Sequence, residues 1–186
     1  LHRLAIFLSG SGSNARNLIS HFAGSTHVRI VMLASNRPGS GANALGEEYG
    51  IPVFPITREN MADGTLLQVL LHHGVDFVVL AGFLRKVPAD ITSHFRNSIV
   101  NIHPSLLPRH GGKGMYGSHV HEAVVSAGDT ETGITIHYVN EHYDQGDIIF
   151  QARVPVAPGD FPGEVEQKVR ALEKKYFPVV VEKLLT

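Results

Sequence analysis

There is no cysteine in this sequence of 186 residues, no surplus of either charge and no long apolar run. Without cysteine a disulfide framework, a thiolate nucleophile and a thiolate metal site are all excluded. A net charge of −1 leaves no basic excess to hold a phosphate backbone, so nucleic acid is not expected as a partner. The longest apolar runs, such as "FVVLAGFL", fall far short of the roughly 20 residues a membrane-spanning helix needs. No charged, apolar, small-residue leader opens the sequence as given, and the cytoplasm is the expected compartment. Against these absences stand 43% apolar and 18% charged residues, the balance of a globular domain. The length fits one domain of about 100–200 residues, able to bury roughly 70% of the surface its unfolded chain exposes. No repeat, linker or low-complexity tract interrupts it, so residues 1–186 are expected to form a single domain.

Short runs rich in Val, Ile and Phe, bounded by turn residues, predict strands at 4–8, 28–34, 52–56, 76–82 and 98–102. Helical periodicity fills the intervals at 14–23, 41–49, 59–73 and 88–95. This alternation predicts an α/β fold of three layers, a mostly parallel twisted sheet with helices on both faces. After a long loop and a helix at 119–127, two strands at 133–139 and 147–156 lie close enough in sequence to pair antiparallel. The last segment, 161–185, reads as a helix that Pro178 should kink or divide.

Three features carry chemistry. The first, "LSGSGSNARNL", stands where strand one meets helix one, the place where backbone N–H groups and a helix N-terminus meet an anion. Its pattern G-x-G-x-N lacks the third glycine of a dinucleotide fingerprint, and no acidic residue stands near position 35, which points to a phosphate monoester. A tight turn with Asn14 near the helix cap explains the same loop equally well. The second is "NIHPSLLP", in which Asn101 and His103 share one side of an extended chain at the carboxyl end of strand five. An amide there can donate to a developing oxyanion and an imidazole can carry a proton; an Asn capping a turn and a His bonded to a neighbouring carbonyl is the competing reading. The third is "HYVNEHYDQGDIIF", whose excursion between two strands could fold Asp144 back toward an imidazole and favour its charged form; a plain hairpin turn at "DQGD" is the competing reading. No metal constellation offers itself, and His2, His21, His27, His72, His73, His94, His110, His119, His121 and His142 receive no role.

Taken in order, "SGSGSN", "VVLAGFLR", "NIHPSLLP", "TGITIHYV", "DQGDII" and "EKKYFP" resemble the phosphoribosylglycinamide formyltransferases over almost the whole chain. These are folate-dependent enzymes that formylate glycinamide ribonucleotide in purine biosynthesis. The resemblance implies that Gly12, Ser13 and Asn14 hold the ribonucleotide phosphate, with Glu173 near its ribose. It implies a folate site at Leu84, Arg85, Lys86 and Val87, with Asn101, His137 and Arg58 touching the folate and the loop 139–144 closing on it. Asn101, His103 and Asp144 match the family's catalytic trio. The co-substrate would be 10-formyltetrahydrofolate, with no metal, and the glycinamide amine would attack its formyl carbon directly. Both substrates are small molecules, and monomer and homodimer both stay open.

Two other functions fit parts of the pattern. "NIHPSLLP" is shared with methionyl-tRNA formyltransferases and with formyltetrahydrofolate deformylases, which would pass the formyl group to water. Those proteins carry a further domain for which a chain of this length is not expected to have room. A non-catalytic nucleotide-binding domain would need the glycine loop alone. The stretch "GKGMYG" lengthens the loop after "LLP" relative to the short form of the family; either Lys113 and Tyr116 reach over the crevice, or the loop is a mobile flap that makes no contact. Thr135 stands where relatives often have Ser.

Overall fold

The computed structural model describes residues 1–186, with seven strands in one sheet and seven helices around it. The strands are β1 (His2–Leu8), β2 (Val28–Ser35), β3 (Val53–Pro55), β4 (Phe77–Leu80), β5 (Ile99–His103), β6 (Glu131–Tyr138) and β7 (Ile148–Pro155). Between them run α1 (Ser13–His21), α2 (Ala42–Tyr49), α3 (Arg58–Ala62), α4 (Thr65–His72), α5 (Ala89–His94), α6 (Ser118–Ser126) and α7 (Pro162–Leu184). The sheet order is β3-β2-β1-β4-β5-β6-β7. Strands β1 to β5 pair parallel, while β6 runs antiparallel to both β5 and β7, as the short connection between the last two strands requires.

The period-two geometry of a strand explains why the central strands are apolar throughout. In β1, Leu4, Ile6 and Leu8 enter one core with α1, α2, α6 and α7, whereas Ala5 and Phe7 enter a second core with α4 and α5. Each fully buried Leu, Ile or Phe contributes about 1.5–3 kcal/mol relative to exposure. The same alternation in β5 sends Val100 and Ile102 into the first core and turns Asn101 and His103 to the opposite face with Ile99. That face carries Thr135 and His137 in β6, paired across from His103 and Asn101. The apolar pattern therefore breaks at the end of β5, on the face that loops cover.

Two expected elements differ. The helix anticipated at 59–73 is two, because Gly64 takes φ 83° and the Asp63 side chain accepts the Thr65 N–H at 2.9 Å, starting α4 afresh. The last helix is not divided at Pro178: α7 is continuous for 23 residues. Proline removes the N–H that would bond the Lys174 carbonyl, and Asn17 of α1 donates its amide to that carbonyl at 2.9 Å instead.

Candidate active site

The chain reverses its direction of travel across the sheet between β1 and β4, and a crevice opens outside the carboxyl ends of these strands. On one side of it Gly12 caps α1 with φ 86°, a left-handed conformation that suits glycine. A Cβ there would stand 2.8 Å from Leu45 Cδ1. The turn is also pressed from outside: Gly10 accepts the Gly41 N–H at 2.9 Å, and a Cβ on Gly41 would lie 1.8 Å from the Ser11 carbonyl oxygen. Gly41 was not legible as part of this loop, since its role is a close approach between distant segments. No acidic residue occupies the first turn of α1, so its positive end is not neutralised locally. Asn14 donates its amide to Glu173 of α7 at 3.1 Å. Burial pushes the Glu173 carboxyl above its ordinary range, against the opposing pull of Asn14 and Arg170.

Asn101, His103, His137 and Asp144 meet in the middle of the crevice. Asp144, with φ 53°, turns the β6–β7 loop back over the sheet. One carboxylate oxygen accepts the Gly112 N–H at 2.9 Å and stands 3.6 Å from His103 Nδ1; the other stands 3.7 Å from His137 Nε2. His103 is 4% exposed, and its Nε2 donates to the His110 carbonyl at 2.9 Å. A carbonyl only accepts, so the neutral ring carries its proton on Nε2 and turns Nδ1 toward Asp144. Burial pushes His137 below its ordinary range, with the Tyr138 carbonyl and Asp144 acting the other way. As a neutral ring it donates from Nδ1 to the Tyr138 carbonyl at 2.8 Å and accepts the Asn101 amide on Nε2 at 3.1 Å. That bond orients one N–H of Asn101 and leaves the other free.

Thr135 anchors the turn after β5. Its hydroxyl accepts the Leu107 N–H at 3.0 Å and a Gln151 N–H at 2.9 Å, and donates to the Ser105 carbonyl at 2.7 Å. At 0% exposure it has no access to water. The hydroxyl is thus a structural pin for the segment that follows Asn101 and His103.

A cleft of about 610 Å³ runs from Ser11, Ser13 and Asn14 past His103 and Asp144 to Glu173. A smaller hollow of about 60 Å³ adjoins it, walled by Arg85, Lys86 and Val87 on one side and by residues 139–144 on the other. Asn101 and Asp144 line both, and His137 lines the smaller. Leu84 lines the large cleft, and its N–H is held at 2.9 Å by Ser9 Oγ at the end of β1. Lys113 and Tyr116 line the large cleft too. Arg58 lines neither hollow; it opens α3 and is exposed. Sequence reading missed three ionisable cleft residues on the helices, His121 of α6 and Glu166 and Arg170 of α7. Only the docking of α6 and α7 beside the glycine loop brings them there.

The comparisons with known proteins agree with this architecture. The formyl transferase family model matches residues 2–181. A protein of Arabidopsis thaliana named phosphoribosylglycinamide formyltransferase, chloroplastic, is 42% identical over 186 residues, which cover 96% of this chain and 64% of that one. The chain spans less than two thirds of the length of this relative and of its counterpart in Vigna unguiculata, at 64% and 60%. Phosphoribosylglycinamide formyltransferase of Haemophilus influenzae is 32% identical over 98% of this chain and 86% of its own length. Among solved structures, glycinamide ribonucleotide transformylase 1 of Geobacillus kaustophilus superposes with a TM-score of 0.90 at 31% identity, covering 100% of both chains. The phosphoribosylglycinamide formyltransferase of Bacillus halodurans gives 0.88 at 35% identity over 99% of this chain and 95% of that one. Sequence, fold and nearly complete coverage of this chain converge, and the chain belongs to the formyl transferase family.

Proposed function

We propose that this protein transfers the formyl group of 10-formyltetrahydrofolate to the amine of 5-phosphoribosylglycinamide, giving the formylated ribonucleotide and tetrahydrofolate. The observation that carries the reading is the meeting of two hollows at one set of groups, with Asn101 and Asp144 facing both. The larger hollow begins at the unneutralised end of α1, suited to a phosphate monoester held by Gly12, Ser13 and Asn14. Glu173, bonded to Asn14, stands beside it as a partner for ribose hydroxyls. The smaller hollow, between residues 85–87 and the 139–144 loop, takes the flat pteridine, with His137 at its inner wall and Leu84 in the adjoining cleft. The names of the relatives support this choice of substrates. Arg58, which opens the short helix after β3, would reach only the outer end of a long folate.

The chemistry follows from the groups at the junction. The amine nitrogen forms a bond to the formyl carbon, and the carbonyl oxygen gains negative charge. The free N–H of Asn101 and a protonated His103 neutralise that charge. The bond from carbon to the folate nitrogen then breaks, the amine loses a proton and the departing nitrogen gains one. His103 Nδ1 carries the proton, and Asp144, 3.6 Å away, stabilises the imidazolium while it does so. Alignment of two bound substrates supplies much of the rate, because each is fixed before the chemical step.

The test is an assay of tetrahydrofolate formation with and without the ribonucleotide. Turnover that requires the ribonucleotide and yields its formyl derivative supports transfer. Formate release without it would establish a hydrolase built on the same groups, and no turnover in either case would leave a binding domain.

A further inference from the structure

The His103 ring and the Asp144 carboxylate are both held by the backbone of one short segment, residues 110–112. The His110 carbonyl takes His103 Nε2–H at 2.9 Å, and the Gly112 N–H bonds Asp144 at 2.9 Å. Such a segment orients both groups only if it is itself fixed. His110 has φ 53°, a conformation that residues other than glycine adopt rarely and keep only when their surroundings hold them.

What holds His110 is Asp129. The imidazole Nε2 lies 2.6 Å from Asp129 Oδ2, and the carboxylate is 9% exposed. Asp129 is in turn anchored at the end of α6, where Gly128 takes φ 66° and the Asp129 N–H bonds the Val124 carbonyl at 3.2 Å. A carboxylate beside the negative end of a helix is disfavoured unless cationic groups face it. Here the cation is Arg109, whose Nη2 lies 3.7 Å from Oδ1, while the His110 imidazole donates to Oδ2.

We infer that His110 and Asp129 are positioning residues for proton transfer at His103. Their side-chain pair keeps the 110 carbonyl beneath Nε2, which fixes the tautomer of His103 and leaves Nδ1 as the nitrogen that exchanges the proton beside Asp144. The groups that face His103 are Asp144, His137 and His121, and none of them accepts from Nε2. The kinetic half of the inference rests on the formyl-transfer reading; the tautomer half does not.

The experiment uses the full chain and three variants, Asp129→Ala, Asp129→Asn and His110→Phe. Nitrogen NMR of the imidazoles reads the tautomer of His103, and steady-state kinetics separate kcat from the two Michaelis constants. Asp129→Ala and His110→Phe are expected to lower kcat about 10- to 100-fold, the usual loss when a group orienting a reacting ring is removed, with the Michaelis constants little changed. Both should convert the single Nε2–H form of His103 into a mixture. Asp129→Asn keeps an acceptor oxygen and should recover most of the rate and the single tautomer. If Asp129→Ala does not fold, His110→Phe carries the test alone. A wild-type kcat together with an unchanged tautomer in either variant would overturn the inference. An inactive wild-type chain would sink the transfer reading and still leave the tautomer measurement to decide this one.

Discussion

Asn101 is held at one N–H by His137 Nε2, and the neutral state of His137 is what makes that nitrogen an acceptor. In the proposed reaction the other N–H faces the developing oxyanion. Asn101→Ala should lower kcat by about 10²- to 10³-fold, the loss expected for one oxyanion donor. Its thermal midpoint should stay close to that of the parent, since the side chain is only half-buried; a variant that unfolds would mark the amide as structural. Asp144→Asn removes the carboxylate that faces two imidazoles at 3.6 and 3.7 Å. Their charged forms lose a partner, and because the proposed reaction uses a protonated His103, the alkaline limb of the pH–rate profile should move to lower pH while substrate binding changes less. An unmoved profile would take Asp144 out of the proton transfer. Asn101 was legible in the sequence because strand alternation defines where it can point, whereas for Asp144 the excursion between two strands left a plain hairpin turn also open.

At the scale of elements, the turn after β5 depends on β6. Thr135 satisfies Leu107 N–H, Ser105 C=O and a Gln151 N–H with one hydroxyl, in a site closed to water. Thr135→Val keeps the shape and strands these partners, so it should cost about 1–3 kcal/mol of stability by denaturant unfolding. Thr135→Ser, which keeps the hydroxyl, should lose much less. Equal losses in the two variants would mean that the methyl group, rather than the hydroxyl, is what the site requires. The helices show the same dependence on neighbours. Pro178 predicts a kinked or divided helix when α7 is considered alone, yet α1 supplies the donor that lets α7 continue. A proline rule concerns one helix and its own N–H groups; the packing of a second helix changes the count.

Across the whole molecule, burial at the crevice sets opposing pH dependences. His121 and His137 are both pushed below the ordinary 6.5 by burial. The unfolded chain therefore binds their protons first, and their contribution to stability is lost as pH falls below about 6.5 toward the folded values. Glu173 is pushed above the ordinary 4.5, again by burial. The folded chain there holds a proton that the unfolded chain has released, so stability falls as pH rises from about 4.5 through the folded value. Glu173→Gln keeps an oxygen for Asn14 and removes the titrating group. Denaturant unfolding as a function of pH should show the second loss abolished in this variant, which should be more stable than the parent at neutral pH. The same variant should bind the ribonucleotide more weakly if the carboxylate meets its ribose. A parent-like pH dependence would mean that Glu173 does not titrate as a buried acid.

The sequence by itself determined the alternation of strands and helices, the glycine turn at the first strand end, and the placement of Asn101 and His103 on one side of β5. Each of these depends on residues close together in the chain, so spacing and residue type are sufficient to read them. Tertiary structure alone decided that Gly41 presses on the glycine turn and that Thr135 pins the segment after β5. It also decided which nitrogen of His103 is free, because a backbone carbonyl from residue 110 makes that choice. Main-chain acceptors are the same at every position, so the sequence holds no sign of which one an imidazole will meet.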